Sequence, residues 1–131
     1  PSRRSSDLYE DKVDNQFYWY IRPQETGNKT DVRWLALLNS EGEGVKITGL
    51  QPIAFSALHF SPEDLDPGLT RKLQHTIDIV PQKNIFLHVD LKQRGLGGDN
   101  SWGMYPHNKY RLLDKKYVYS YMIELIEKSS D

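Results

Sequence analysis

The residues best suited to chemistry cluster between Gly95 and Gly103, which reads Gly-Leu-Gly-Gly-Asp-Asn-Ser-Trp-Gly. Four glycines within those nine residues let the backbone turn tightly and approach a neighbour closely. Asp99, Asn100 and Ser101 can bond nearby backbone amides and fix the loop. With Gly97 and Gly98 they form a support expected to hold Trp102 at one defined place. A rigidly presented indole suits a sugar site: its flat face packs against the C–H side of a pyranose while polar groups satisfy the hydroxyls. The same tryptophan also reads as a core residue capping one end of a β-sandwich. Other glycine-rich loops do not fit. The third glycine of a dinucleotide fingerprint would fall at Asn100, and no helix pattern follows. No Gly-Lys-Ser or Gly-Lys-Thr ends the segment, and the acidic spacing of a calcium loop is missing.

The remaining candidates are weaker. His59, His75, His88 and His107 show no metal-ligand spacing on one element, so no metal ligand is assigned. There is no Gly-x-Ser-x-Gly elbow, and Ser101-Trp102-Gly103 is only a fragment of one. Glu25, Glu63 and Glu124 fall in an expected loop, helix start and strand, with nothing to pair them for acid and base work. No catalytic residue is assigned. The chain has no cysteine, which removes disulfides, thiolate zinc sites and cysteine nucleophiles. Asn28-Lys29-Thr30 satisfies a glycosylation sequon, a pattern too short to carry weight.

The elements that would position such a loop read as strands. At 131 residues the chain has room for one domain with a real core. Seventeen Lys plus Arg against eighteen Asp plus Glu leave a formal charge of -1, which argues against nucleic acid as a partner. No apolar run is long enough to span a bilayer, so no membrane is expected. The start, Pro1-Ser2-Arg3-Arg4-Ser5-Ser6-Asp7, lacks Met and an apolar signal core and reads as an entry point into a longer protein. Residues 1–10 are expected to be poorly ordered.

Phe17 to Ile21 is dense in aromatic and β-branched residues and predicts a strand. Val32 to Leu38 is apolar on both parities, as a strand between two layers would be. Asn39-Ser40-Glu41-Gly42-Glu43-Gly44 is a turn leading into a strand at Val45–Gly49, and another strand is expected over Pro52–Phe60. Ser61-Pro62-Glu63-Asp64-Leu65 is the good helix start, with a serine cap, a first-turn proline and two acids at the positive end. Asp66-Pro67-Gly68 should stop that helix. Strands are expected over His75–Val80, Ile85–Leu91 and Tyr117–Leu125. Short strands separated by turn signals point to an all-β chain, an antiparallel β-sandwich forming a single domain over residues 1–131.

At the glycine-rich loop the sequence resembles a known family. Asp90 to Gly103 (Asp-Leu-Lys-Gln-Arg-Gly-Leu-Gly-Gly-Asp-Asn-Ser-Trp-Gly) is similar to the signature near the C-terminus of large bacterial β-galactosidases of the second glycoside hydrolase family. Tyr20 to Asn28, Thr30 to Leu35, Phe55 to Phe60, and Pro106-His107 fit in the same order, so the resemblance runs from about Asp7 to Leu125. It implies the later portion of a C-terminal galactose mutarotase-like supersandwich. It also implies that Trp102 reaches the sugar, chiefly in the aglycone subsite, of a site built in a separate (β/α)8 barrel. The two glutamates of retaining hydrolysis, about 5 Å apart, belong to that barrel by the same resemblance. So do the parent's magnesium and sodium sites, leaving no cofactor in this chain and an isolated chain that is inactive. The implied partners are the barrel and the rest of the parent chain, itself a homo-oligomer, and a galactoside such as lactose. The compartment, bacterial cytoplasm or periplasm, stays open.

Two other functions fit the residues. A free-standing carbohydrate-binding β-sandwich would bind sugar through its aromatic loops alone. A mutarotase-like epimerase would need an acid and a base facing each other, and no motif brings a His and a Glu together. If the supersandwich is divided here, strand edges and apolar faces covered in the parent are expected to be exposed.

Overall fold

A computed structural model describes residues 8–18, 26–66, 68, 75–95, 97–100 and 103–128. Among the described residues the strands are β1 (Lys29–Leu38), β2 (Gly44–Leu58), β3 (Phe86–Asp90) and β4 (Tyr121–Ile126), with one short α-helix, α1 (Pro62–Leu65). β2 pairs antiparallel with β1 on one side and with β4 on the other, and β3 also lies beside β2. The expected all-β, antiparallel sandwich class holds. The chain divides into two compact units, one of residues 1–28 and 56–88, the other of residues 29–55 and 89–131.

In the second unit, β1 and β2 form a hairpin closed by the expected turn. Asn39 makes it: its Oδ1 accepts from the Glu41 and Glu43 amides at 2.9 and 3.0 Å, and its own N–H donates to Glu43 O at 2.8 Å. The sheet then sorts its side chains by row. Leu35 faces Ile47 and Ile47 faces Ile123, while Leu37 faces Val45 and Val45 faces Leu125. That face is apolar across all three strands, yet its burial is uneven. Leu35 and Ile47 are only 5% and 3% exposed, whereas Ile123 and Leu125 are 61% and 76% exposed. The opposite face carries Trp34, which is half-exposed with the Lys46 ammonium 5.3 Å from its ring. β1 is therefore not enclosed on both faces as its two-parity pattern suggested.

The two strands expected at Val45–Gly49 and Pro52–Phe60 are one strand, β2. Pro52 does not break it because it falls where the ladder is already irregular. Trp34 pairs with Thr48 and Val32 with Ile53, so residues 49–52 have no counterparts on β1. A proline inside a strand is tolerated at such a bulge. The Leu50 amide donates instead to Ser120 O at 3.0 Å, and the Gln51 side chain brackets Ser120 from both sides of its amide. A second irregularity, between Lys29 and Val32, contains Asp31 at φ +57°, a left-handed conformation that Asp tolerates better than most residues.

In the first unit, Leu58, Phe60 and Ile79 form the core, with Phe17 and Leu65 packed against it. The Phe17 and Phe60 rings lie 4.5 Å apart. Burying side chains of this size contributes roughly 2 kcal/mol each. The helix start is as expected. The Ser61 hydroxyl accepts from the Asp64 amide at 3.2 Å, and the Asp64 carboxylate accepts from the Ser61 amide at 2.7 Å. Gln82 donates its side-chain amide to Asp64 and its backbone N–H to His59 O, tying this cap to the following turn.

The strand expected at His75–Val80 is a 3-10 turn over Thr76–Asp78. Asp78 accounts for it: its carboxylate accepts from the His75 amide at 2.8 Å, a local bond that competes with extension. Only Ile79 of that segment turns into the core. β3 begins and ends one residue inside its expected bounds, and β4 begins at Tyr121 rather than Tyr117. Of the strand expected at Phe17–Ile21, Phe17 and Tyr18 lie in no regular element, and residues 19–21 lie outside the described residues.

Candidate functional site

The glycine-rich segment lies in the second unit, where no regular element covers its described residues. Backbone bonds tie its described residues to the chain that follows. The Gly95 amide donates to Tyr110 O at 2.8 Å, and the His107 amide donates to Gly97 O at 2.8 Å. A 3-10 turn over Asn108–Tyr110 follows, closed by the Tyr110 amide donating to His107 O at 2.8 Å. The loop's two ends are therefore joined by backbone bonds at Gly95 and Gly97.

The side chains add a second set of ties. His107 Nε2 lies 2.9 Å from Asp99 Oδ1. The Tyr110 ring lies directly over Gly97: a β-carbon there would come within 2.6 Å of Tyr110 Cδ2 and 3.0 Å of its Cζ. Only glycine fits that approach without moving the ring. Gly103 has φ +149°, a backbone conformation that side-chain-bearing residues rarely adopt. Cations cover the neighbouring rings. Lys109 Nζ is 4.6 Å from the Tyr110 centroid, and the Arg111 guanidinium is 4.8 Å from that of Tyr105 while donating to Asn108 Oδ1 at 3.2 Å.

Of the expected support residues, Gly97, Gly98, Asp99 and Asn100 belong to this loop and are exposed, while Ser101 and Trp102 lie outside the described residues. Gly98 has ordinary contact with Pro106, its nearest approach being 3.4 Å for an added β-carbon. The expectation that Asp99 would bond a backbone amide is replaced by its bond to the His107 ring. Sequence reasoning missed His107 and Tyr110 as the loop's partners. The signal was present in part, since Pro106-His107 fell within the family resemblance.

Glu63 and Glu124 lie in α1 and β4, both exposed, and Glu25 is outside the described residues. Among the described residues, no three of His, Asp and Glu converge into a metal-holding group. No helix among the described residues is long and apolar enough to cross a membrane.

Residues 3–123, which contain this whole loop and its latch, match the family model of the β-galactosidase small chain. The chain belongs to the β-galactosidase small-chain family. Among curated relatives, a β-galactosidase of Priestia megaterium is 38% identical over 105 residues, covering 80% of this chain and 10% of the relative. The β-galactosidase BgaC of Bifidobacterium adolescentis is 36% identical over 96 residues, covering 71% of this chain and 9% of the relative. A β-galactosidase of Streptococcus thermophilus is 31% identical over 118 residues, covering 88% of this chain and 11% of the relative. This small-chain segment thus spans about a tenth of the length of the β-galactosidases it matches. The match extends across both compact units, so family membership does not rest on the loop alone.

Proposed function

We propose that this chain is the C-terminal β-sandwich portion of a β-galactosidase that removes terminal non-reducing β-D-galactose from galactosides such as lactose. In this reading it supplies Trp102 as an aromatic wall of the sugar site and supplies no catalytic carboxylate. The glutamate pair, and any magnesium or sodium the parent binds, are assigned to the rest of that protein. The observation that carries the reading is the loop at 97–107, tied by Gly97 O to the His107 amide and by Asp99 to the His107 ring. A loop tied at both ends suits the presentation of one side chain. An indole carried by such a loop would offer a flat apolar face to the C–H side of a sugar.

The reading also assigns a partner. The apolar row of Ile123 and Leu125 continues the face that Leu35 and Ile47 bury, and it lies open in this chain. A matching apolar sheet from the remainder of a parent some ten times longer would cover it.

The test is Trp102→Ala in the full-length enzyme. Lactose turnover and transfer to a glucose acceptor are expected to weaken, with less effect on an activated aryl galactoside. Unchanged lactose kinetics would remove Trp102 from the site.

A further inference from the structure

We infer that His107 is a positioning residue for the sugar-binding loop, acting through Asp99 to fix the loop's backbone at residues 97–99. The inference rests on the sugar-wall reading of Trp102 and adds to it a second residue outside the loop's glycine-rich core.

The geometry assigns this role to His107 because it holds the loop twice. Its backbone N–H closes the loop at Gly97 O, at 2.8 Å. Its ring reaches further along, to Asp99 Oδ1 at 2.9 Å, three positions before Trp102 in the sequence. His107 is itself held, since its carbonyl accepts from the Tyr110 amide at 2.8 Å, and the Tyr110 ring packs on Gly97. Backbone, imidazole and phenol therefore all hold residues 97–99. Removing the backbone bond would require changing the fold, but the ring contact can be removed alone.

The pair contributes little to global stability. Both side chains are at least half exposed, and an exposed ion pair is screened by water and by salt. Its effect is local: it restricts a glycine-rich backbone that would otherwise sample many conformations. The contact needs only an N–H on Nε2, which the imidazolium and one neutral tautomer both carry. A glutamine at 107 can offer a comparable amide N–H at similar reach, whereas alanine offers none.

The experiment uses the full-length β-galactosidase carrying this chain, with His107→Ala, His107→Gln, Trp102→Ala and the His107→Ala/Trp102→Ala double variant. Lactose and an activated aryl galactoside are the substrates, and melting temperature is followed in parallel. For His107→Ala the expected result is a rise in lactose KM of about threefold to tenfold, the range for losing one ordinary hydrogen bond at an exposed position. Its kcat for the aryl galactoside and its melting temperature should stay near those of the parent. His107→Gln should recover most of the lost affinity, and His107→Ala should add nothing once Trp102 is gone. A silent His107→Ala beside a damaging Trp102→Ala would overturn this inference and leave the sugar-wall reading intact. So would equal losses on both substrates with a lowered melting temperature, or failure of glutamine to rescue. A silent Trp102→Ala would overturn the sugar-wall reading and this inference with it.

Discussion

The Tyr110 ring occupies the volume that a side chain at Gly97 would need, so the two residues form one close-packed joint between the glycine-rich loop and the turn that follows it. Gly97→Ala is expected to push the half-exposed ring aside and loosen the bond between Gly97 O and the His107 amide. Overpacking of this kind costs about 1–2 kcal/mol where the neighbour can swing into solvent. Urea unfolding of the parent enzyme measures it. Tyr110→Ala should relieve the clash, so the double variant should be no less stable than Tyr110→Ala alone. Additive losses would show that the ring is not the obstacle.

Ser61→Ala removes the hydroxyl that accepts from the Asp64 amide. The expected loss is about 1 kcal/mol, the usual value for a serine cap. It should appear as a lower denaturant midpoint with an unchanged slope.

Acid sensitivity follows from the same cap. Partial burial works to raise the Asp64 pKa, but bonds from the Ser61 amide, the Gln82 amide and the Ser61 hydroxyl outweigh it and hold the carboxyl below its ordinary 3.8. A depressed carboxylate stabilises the fold above the unfolded-state value, and that contribution is lost as pH falls through the folded-state value. Asp64→Asn should therefore flatten the fall in stability on acidification below about pH 4. An unchanged acid limb in a pH series of urea melts would rule Asp64 out as a contributor.

The open apolar row on β4 should make the separated chain associate with itself. Light scattering across a concentration series is expected to show apparent mass rising with concentration, and Ile123→Lys with Leu125→Lys should abolish the rise. In the full-length enzyme the same pair should lower stability, because covering an unpaired ammonium in an apolar face costs several kcal/mol. A strictly monomeric wild-type chain would count against the uncovered face.

Catalysis is expected only with the rest of the parent. The separated chain should not hydrolyse an aryl galactoside, and calorimetry with lactose should show no sub-millimolar binding. Tight binding would instead favour a free-standing sugar module.

Much of the local structure was legible because it is written in neighbouring residues. The Ser61–Asp64 cap and the Asn39 turn are short-range hydrogen-bond patterns, and each appears where residue type and spacing put it. Alternation failed where a side chain intervened. Ile77 and Ile79 read as strand positions, but the Asp78 carboxylate bonded backward to His75 and curled the segment. Pro52 read as the entry to a new strand because nothing local reveals that β1 skips its surroundings. At the site, glycine spacing and the family resemblance located the loop. The choice of His107 for Asp99 and of Tyr110 for Gly97 depends on how the chain folds back, which a single sequence does not encode as a pattern.

The bulge on β2 gives the hairpin an unequal tolerance to changes in length. Losing one residue between Gly49 and Pro52 shortens a stretch that already has no counterpart on β1, so Leu35 and Ile47 keep their common side. Losing one between Val45 and Thr48 would slip the ladder by a single step and turn the row of Ile47 toward water. Natural variation in hairpin length should therefore gather at the former stretch and avoid the latter.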